Sequence, residues 1–182
     1  MQSADFPLYV FHQGKNFRAY DFFGAHPFTE GGKKGFVFRV WAPHAEEVSV
    51  VGDFNSWDPA AHPMQRLQDG ESFEIAIAGI KNFTAYKYCI KAKDGRFLYK
   101  ADPYAFHAET PSKTASKTFD LSKFKWSDKE YIKARNARNI YDSPMNIYEM
   151  NALSWRQYGD GNYFAFDKLV DDLIPYLLDM GY

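Results

Sequence analysis

Cysteine is nearly absent from this chain, and so are long hydrophobic runs. The single cysteine among 182 residues, Cys89, excludes an internal disulfide. The first residues, Met-Gln-Ser-Ala-Asp, lack the charged-then-apolar profile of a secretory signal, which favours a reducing, cytoplasmic setting. No apolar run approaches the ~20 residues that a membrane-spanning helix requires, so we expect no membrane partner.

An excess of charge of one sign is also missing. Twenty-two basic residues against 23 acidic residues give a formal net charge of −1 at pH 7. This balance removes the general electrostatic case for binding nucleic acid or an anionic membrane, so we expect neutral partners. The five histidines show no spacing with cysteine or carboxylates that is typical of a zinc site, and neither a metal nor another cofactor is expected.

Hydrophobic residues make up 46% of the chain and aromatic residues 19%, which is enough for a sizeable core. Between residues 36 and 100 the apolar residues recur with a period of two, which is typical of half-buried strands. The glycines of 31–35 indicate a hairpin connection rather than a phosphate loop. The pattern predicts a mainly β fold, an immunoglobulin-like antiparallel β-sandwich, with strands at Phe36, Phe38 and Val40; Val48 and Val50; Phe73, Ile75 and Ile77; and Tyr86, Tyr88 and Ile90.

Residues 51–58, Val-Gly-Asp-Phe-Asn-Ser-Trp-Asp, place an indole and an amide on a turn that the hydrophobic pattern gives no reason to bury. A pyranose ring presents a flat patch of C–H bonds ringed by hydroxyl groups. An aromatic face can cover that patch while an amide or an ammonium group binds the rim. Trp57 and Asn55 fit those roles. The alternative is structural: Phe54 and Trp57 close the end of the sandwich, and Asn55 with Ser56 forms the bend.

Lys87 is the third candidate for a sugar-binding surface. Alternation along its strand places Lys87 on the face opposite the apolar residues, so its ammonium group is free to touch a ligand. A two-residue hairpin turn predicted at 94–95 sets Lys91 opposite Leu98 and brings Leu98 to the face of Lys87. A bulge near Lys93 would reverse that assignment.

The chain loses its periodicity after residue 100. Residues 101–126 contain prolines and a stretch rich in Ser, Thr and Lys, and they predict a linker or an irregular edge. Ser127 and Glu130 match a capping box that opens a short polar helix through Ala137. Acidic residues offset the basic residues of this helix, which favours a solvated helix face over an anion site.

A strand-then-helix pattern lies near the C-terminus. Met145–Met150 is a compact apolar run that predicts a strand buried on both faces, and apolar residues recur at helical spacing over 169–178, where Pro175 should kink the helix. A strand of this kind belongs to a parallel sheet, and the helix after it carries the chain back to a neighbouring strand. Because the sequence ends before such a strand, we expect residues 144–182 to be the start of a truncated second domain.

Seven segments of the sequence together resemble one known family. The segments are 23–27, Phe-Gly-Ala-His-Pro; 38–43, Phe-Arg-Val-Trp-Ala-Pro; 48–58; 62–64, His-Pro-Met; 86–88, Tyr-Lys-Tyr; 100–105, Lys-Ala-Asp-Pro-Tyr-Ala; and 144–155. From about Leu8 onward the chain resembles the bacterial 1,4-α-glucan (glycogen) branching enzymes of glycoside hydrolase family 13. The order of the segments is the specific feature, because single segments also fit debranching enzymes and the glycogen-binding module of AMP-activated kinase.

The resemblance implies a domain organisation and a chemistry. It implies a lead-in over 1–19, a family 48 carbohydrate-binding module over 20–125, a helical linker over 126–143, and the first strand and first helix of a truncated (β/α)8 barrel over 144–182. The intact enzymes cleave an α-1,4 link, hold the glucan covalently and transfer it to a 6-hydroxyl, which makes the α-1,6 branches of glycogen. A carboxylate nucleophile and a carboxylic acid about 5 Å apart perform such a double displacement. In the family both lie on later barrel strands, beyond Tyr182.

The resemblance also limits what this chain does by itself. Because the catalytic carboxylates lie outside the sequence, the chain alone is expected to be inert as an enzyme and at most to bind α-glucan. The family segment Tyr-Glu-Val-His-Leu-Gly-Ser-Trp has Asn151 here in place of histidine and Leu153 in place of glycine, which implies a remodelled loop above the first strand. Two alternatives stay open: a non-catalytic glycogen-targeting module that uses Trp57 and Lys87, and a purely structural sandwich.

Trp57 and Lys87 are the sugar contacts that the resemblance implies. Related modules that bind glucan strongly set a second aromatic side chain beside the lysine, whereas the predicted register puts Leu98 there. Fully burying one large side chain contributes roughly 1.5–3 kcal/mol, and even a 1 mM Kd corresponds to about 4.1 kcal/mol. We therefore expect one tryptophan and one lysine to bind weakly.

Overall fold

The computed structural model describes residues 4–110 and 112–182, and the chain divides into two compact units, Met1–Lys125 and Trp126–Tyr182. Residue 111, in the predicted irregular segment, lies outside the described residues. The first unit is mainly β, and the second contains helices. In the described part of the chain, no helix is long and apolar enough to cross a membrane.

The first unit has one α-helix and nine strands among its described residues. The helix, α1, spans Asp5–His12. The strands are β1 (Gly24–Glu30), β2 (Lys33–Trp41), β3 (Ala45–Gly52), β4 (Gln65–Arg66), β5 (Ser72–Ala78), β6 (Ala85–Ala92), β7 (Phe97–Lys100), β8 (His107–Ala108) and β9 (Ser116–Lys117). Short 3-10 helices lie at Ala19–Asp21, Asp53–Asn55 and Leu121–Lys123.

The strands form two antiparallel sheets around one core. One sheet has the order β1-β2-β5-β4, and the other has the order β3-β6-β9-β8, with β7 pairing along β6. Because side chains alternate between the two faces of a strand, one face of each sheet supplies the core. The fully buried core residues include Phe38, Val50, Phe73, Tyr86 and Tyr88. The predicted antiparallel sandwich is confirmed, and the four strands predicted from alternation are β2, β3, β5 and β6.

Among the elements of the first unit that do not follow from alternation along the sequence are the strand β1 and the helix α1. The strand β1 pairs with β2 through Gly31 and Gly32, whose φ angles of 56° and 78° suit a two-residue hairpin turn. The predicted hairpin connection is confirmed, although β1 itself was not predicted. The helix α1 buries Leu8 in a small second cluster with Phe22 and Phe23, apart from the main core.

A buried carboxylate fixes the inner side of β6. The Asp102 carboxylate accepts hydrogen bonds from the Tyr86 hydroxyl at 2.6 Å and from the Tyr88 hydroxyl at 3.2 Å. It also accepts the backbone N–H of Tyr104 at 2.8 Å. Burial raises the pKa of Asp102 and the pKa values of both tyrosines, whose ionised forms would also meet the Asp102 charge. Because Tyr86 and Tyr88 are held inside, Lys87 between them points outward.

The second unit has two α-helices among its described residues. They are α2 (Lys129–Ala137) and α3 (Phe166–Asp179), with a 3-10 helix between them at Ile140–Asp142. The polar helix ends at Ala137 as predicted, but its capping box is not formed. The N-cap position is Asp128 rather than Ser127, and it has no side-chain cap bond. The helix α3 runs through Pro175 as one continuous helix.

The predicted strand over Met145–Met150 is not formed. A strand needs hydrogen-bonding neighbours, and the described residues of the second unit contain no strand that could pair with this one. Ile147 is 73% exposed, so the apolar run does not close a core. Aromatic contacts tie the segment to α3 instead: the Trp155 indole N–H donates to the Tyr148 hydroxyl at 2.9 Å, and both rings contact Tyr176.

The two departures from the family segment lie in one turn. The Asn151 side-chain oxygen accepts the backbone N–H of Leu153 at 2.9 Å, and the Asn151 carbonyl accepts the N–H of Trp155 at 2.9 Å. Asparagine favours this kind of turn because its short side chain bonds to the backbone two residues on. The turn leaves the Leu153 side chain exposed.

We expect the stability of the first unit to fall above pH 10. The folded chain raises the pKa values of Tyr86 and Tyr88 above their ordinary value of 10.0. The unfolded chain therefore releases these protons first, and stability is lost as the pH rises past 10. Between pH 9 and pH 11 two such groups lower the free energy of unfolding by about 2.7 kcal/mol in total, and the slope steepens toward the upper end of this range. Urea unfolding between about pH 9 and pH 11 measures this slope.

The variant Tyr88→Phe is the control for that measurement. It keeps the ring and removes one titrating hydroxyl, so the slope should fall to about half. A free energy of unfolding that stays constant across this pH range contradicts the buried arrangement.

Candidate functional site

A turn between β3 and β4 presents Trp57. It opens with the 3-10 helix Asp53–Asn55 and then sets Ser56 and Trp57 in the left-handed region, with φ angles of 55° and 61°. Such angles are uncommon for bulky residues and cost of order 1–3 kcal/mol each. The Trp57 ring is 36% exposed, and its indole N–H donates to Asp53 Oδ1 at 3.2 Å. The strained backbone thus presents an oriented aromatic face to solvent.

The Asn55 side chain holds this turn closed. Its oxygen accepts the backbone N–H of Gly52 at 2.9 Å, and its amide donates to the Val50 carbonyl at 3.0 Å and to His62 Nδ1 at 2.9 Å. These bonds use both amide hydrogens and one lone pair of the oxygen. The sequence suggested Asn55 as a sugar contact, whereas its amide is committed to the turn. Phe54 packs against the core, as the structural alternative expected.

Lys87 lies on the outer face of β6, where alternation predicts it. It pairs with Val51 of β3. The next residue of β3 is Gly52, whose carbonyl accepts the backbone N–H of Trp57 at 3.0 Å. Its Nζ donates to the Thr114 hydroxyl at 2.7 Å. Lys87 and Trp57 therefore come to the same end of the β3–β6 pair. Thr114 joins them from a segment without sequence periodicity, so the sequence offered no signal for it.

The hairpin between β6 and β7 has a loop of three residues, 93–95, instead of the predicted two. The Ala92 N–H donates to the Arg96 carbonyl at 2.9 Å, and Gly95 closes the loop with a φ of 82°. A turn that ends on a left-handed glycine is a common three-residue hairpin. Because an Asp-Gly pair suits both loops, the sequence alone does not separate them.

The longer loop shifts the pairing of β6 with β7 by one residue. Leu98 lies opposite Ile90, so the prediction that Leu98 shares the face of Lys87 is wrong. A shift of one residue moves every side chain of a strand to the other face. Phe97 and Tyr99 therefore take the place that the predicted register assigned to Leu98.

Tyr99 supplies a second aromatic ring beside Lys87. It lies opposite Cys89 in the β6–β7 pair, diagonal to Lys87, and its ring is 48% exposed. A hydrogen bond with the Cys89 thiol raises the pKa of the Tyr99 hydroxyl, and the nearby charge of Asp58 raises this pKa further. Because Tyr99 lies diagonal to Lys87, and Lys87 and Trp57 come to the same end of the β3–β6 pair, the three residues are grouped into one surface. We name the surface formed by Trp57, Lys87 and Tyr99 the Trp57 surface.

The Trp57 surface is open. The cleft beside Phe97, between β6 and the loop that carries Pro59 and Pro63, has a volume of about 50 Å³. That volume is too small for a sugar ring, and none of the three residues of the Trp57 surface lines it. Within residues 4–110 and 112–182, no group of three His, Cys, Asp or Glu side chains could hold a metal ion.

Comparison with protein families identifies this part of the chain. Residues 22–105 match the family described as Carbohydrate-binding module 48 (Isoamylase N-terminal domain). The match covers β1 to β7 and includes Trp57, Lys87 and Tyr99.

Curated relatives extend the similarity to nearly the whole chain. The chain is 45% identical over 177 residues to the 1,4-alpha-glucan branching enzyme GlgB of Butyrivibrio fibrisolvens, a match that covers 96% of this chain and 28% of that enzyme. It is 46% identical over 180 residues to the GlgB of Rubrobacter xylanophilus, which covers 98% of this chain and 25% of that enzyme. The chain therefore spans about a quarter of the length of these relatives.

A solved structure supports the fold. The crystal structure of an amylase-like protein from Salmonella typhimurium superposes with a TM-score of 0.56 at 22% identity, over 88% of this chain and 23% of that one. At this identity the likeness concerns the fold alone. The resemblance drawn from the sequence motifs is confirmed: residues 22–105 match the carbohydrate-binding module 48 family, and nearly the whole chain is similar to about a quarter of the length of 1,4-alpha-glucan branching enzymes.

Proposed function

We propose that the sandwich over residues 20–125 binds neutral α-1,4-glucan, such as glycogen, across the Trp57 surface. One observation carries the proposal: the exposed Tyr99 ring and Lys87 lie on one face of β6 and β7, and the exposed Trp57 stands on the turn at the same end of the β3–β6 pair as Lys87. A glucose ring offers C–H bonds to such aromatic faces and hydroxyl groups to such a cation. The balanced charge of the chain fits an uncharged polymer.

Lys87 binds a sugar hydroxyl by exchanging its present partner. Its Nζ donates to the Thr114 hydroxyl at 2.7 Å, and a glucan hydroxyl offers the same acceptor chemistry. An exchange of one hydroxyl for another changes the free energy little. The aromatic faces of Trp57 and Tyr99 therefore provide most of the affinity, and Lys87 provides orientation.

Asn55 acts as a positioning residue in this proposal. Its bonds to Gly52, Val50 and His62 close the turn that carries Trp57. Without these hydrogen bonds, fewer contacts stabilise the left-handed backbone at Ser56 and Trp57. Asn55 therefore contributes to glucan binding without touching the ligand.

The affinity of the Trp57 surface for one short chain is expected to be modest. Two aromatic side chains contribute roughly 1.5–3 kcal/mol each when fully buried, and association itself costs several kcal/mol. An open surface buries only part of each ring. We therefore expect a Kd of about 1 mM, equivalent to about 4.1 kcal/mol. Retention on a glycogen particle then relies on repeated contacts with many chains.

We infer that the whole protein to which this chain corresponds transfers α-1,4-glucan chains to form α-1,6 branches in the cytoplasm. The similarity to branching enzymes supports this role, and it includes the helical second unit. We assign residues 126–143 to the helical linker and 144–182 to the first unit of the barrel. The exposed apolar stripe of α3 supports this assignment, because such a stripe fits burial in a larger body; it consists of Phe166, Val170, Ile174 and Leu178. The buried free thiol of Cys89 fits a reducing cytoplasm.

Maltoheptaose titration tests glucan binding by the sandwich. We expect Trp57→Ala to raise the Kd about tenfold or more, and Tyr99→Ala to raise it several-fold, because each removes an aromatic face. Lys87→Ala should have a smaller effect. The matched control is Leu98→Ala, since Leu98 is the neighbour of Tyr99 on the other face of β7. Isothermal titration calorimetry on the full chain measures these constants.

Two outcomes of that titration contradict the proposal. If the unchanged chain binds no maltoheptaose, the sandwich is a structural brace. If Leu98→Ala weakens binding as much as Tyr99→Ala, the surface lies on the other face of β7.

The variant Asn55→Ala separates positioning from contact. We expect it to lower the free energy of unfolding by about 1–3 kcal/mol, because Gly52 and Val50 lose their partly buried partner. It should also weaken maltoheptaose binding. The control is Ser56→Ala, on the same turn, whose side chain is exposed. Urea unfolding and calorimetry on both variants give the two quantities, and an Asn55→Ala variant with unchanged stability contradicts the positioning role.

A further inference from the structure

Trp41 is an exposed aromatic residue outside the Trp57 surface. It ends β2, opposite Ser72 of β5, and it faces outward because its neighbour Val40 faces the core. Its indole is 43% exposed. Trp41 is not part of the main core cluster.

The Trp41 ring is held in one orientation. Its indole N–H donates to Glu71 Oε2 at 3.0 Å, and its ring meets the Phe11 ring edge-on with centroids 5.6 Å apart. The backbone N–H of Ala42 donates to the Glu71 carbonyl at 2.8 Å, which ties the two chain segments together. An aromatic face that is fixed before binding loses little conformational entropy when a ligand covers it.

The same construction occurs at Trp57. There the indole N–H donates to Asp53, and the exposed fraction of the ring is similar to that of Trp41. One ring stands at the end of a strand and the other on a left-handed turn, yet each has a carboxylate at its polar edge. In both, the indole N–H is hydrogen-bonded while part of the residue stays exposed.

Polar groups suited to hydroxyl binding surround Trp41. Glu71 is partly exposed, and the His12 ring lies 3.0 Å from an Asp69 oxygen and 3.9 Å from a Glu71 oxygen. Carboxylate and imidazole groups accept and donate hydrogen bonds to neighbouring hydroxyl groups. Two carboxylates around one histidine disfavour phosphate and other anions, so this surface suits a neutral polyol.

We propose that Trp41, Glu71 and His12 form a second binding surface for neutral α-glucan, separate from the Trp57 surface. The class of ligand rests on the function proposed above, whereas the site itself rests on the geometry around Trp41. A glucose ring lies on the free face of the indole, and its hydroxyl groups bond to Glu71 and His12.

The strand β3 separates the two surfaces. Trp41 lies one short turn before β3 begins at Ala45, and the turn of Trp57 follows the end of β3 at Gly52. Eight residues of strand, at about 3.3 Å each, place the two tryptophans more than about 20 Å apart at opposite ends of the sandwich. A short oligosaccharide therefore fills the surfaces independently, whereas a branched polymer engages both and is retained by avidity.

Indole N–H resonances test the second surface directly. The full chain, labelled with ¹⁵N, is titrated with maltoheptaose, and the signals of its four tryptophans are assigned with single Trp→Phe variants. We expect the signals of Trp41 and Trp57 both to shift along saturable curves. The shift of the Trp41 signal should persist in the variant Trp57→Ala.

The outcomes of this titration separate the two proposals. A Trp41 signal that stays constant while the Trp57 signal saturates overturns the second surface and leaves the proposed function in place. A Trp57 signal that stays constant while the Trp41 signal saturates overturns the Trp57 surface and supports the second one. Constant signals from both overturn both. Once the four signals are assigned, the unchanged chain reports all three results.

Migration through gels that contain glycogen measures the contribution to polymer binding. We expect Trp41→Ala to weaken retention about tenfold and the double variant with Trp57→Ala to weaken it further. The matched control is Phe17→Ala, since Phe17 is 90% exposed in the same unit. Unchanged migration of Trp41→Ala, or equal weakening by Phe17→Ala, overturns the second surface.

Discussion

The Asp102 carboxylate is buried between the hydroxyl groups of Tyr86 and Tyr88, and a charge in that setting is tolerated only because its oxygens are hydrogen-bonded. The two tyrosines flank Lys87 along β6, so the bonds that hold them inside also hold Lys87 outside. A slip of β6 by one residue would bury the lysine and expose both hydroxyls. The binding surface thus depends on a contact in the core, on the opposite face of the strand.

The binding surface also depends on the backbone geometry at the end of β3. A Cβ at position 52 would lie 2.3 Å from the Ala85 carbonyl oxygen and 2.6 Å from the Phe54 ring, so only glycine lets the chain turn there. After the 3-10 helix that follows Gly52, Ser56 and Trp57 lie in the left-handed region, and the side-chain bonds of Asn55 offset the strain of that backbone. Gly52 and Asn55 therefore form the turn, and the turn exposes Trp57 to a ligand.

Period-two alternation was sufficient to predict β2, β3, β5 and β6 and the outward position of Lys87, because burial on one face imposes that pattern directly. It was insufficient for the aromatic partner of Lys87, since an Asp-Gly pair fits hairpin loops of two and of three residues, and only the backbone bonds of Ala92 decide between them. The strand predicted over Met145–Met150 is absent for another reason: its pairing depends on neighbours that the described residues do not supply. Hydrophobic alternation therefore predicts which face of a strand a residue occupies better than it predicts which strands pair and in which register.

A crystal structure of the full chain with maltoheptaose tests the central claim most directly. The claim is that the hydrogen bonds of Asp102 to Tyr86 and Tyr88 in the core orient Lys87 toward an aromatic glucan-binding surface on the outer face of the sandwich. We predict a glucose ring stacked on Trp57, with Tyr99 beside it and the Lys87 ammonium group moved from Thr114 to a sugar hydroxyl. An oligosaccharide bound on the Leu98 face of β7, with Trp57 uncovered and Lys87 still bonded to Thr114, would contradict the account.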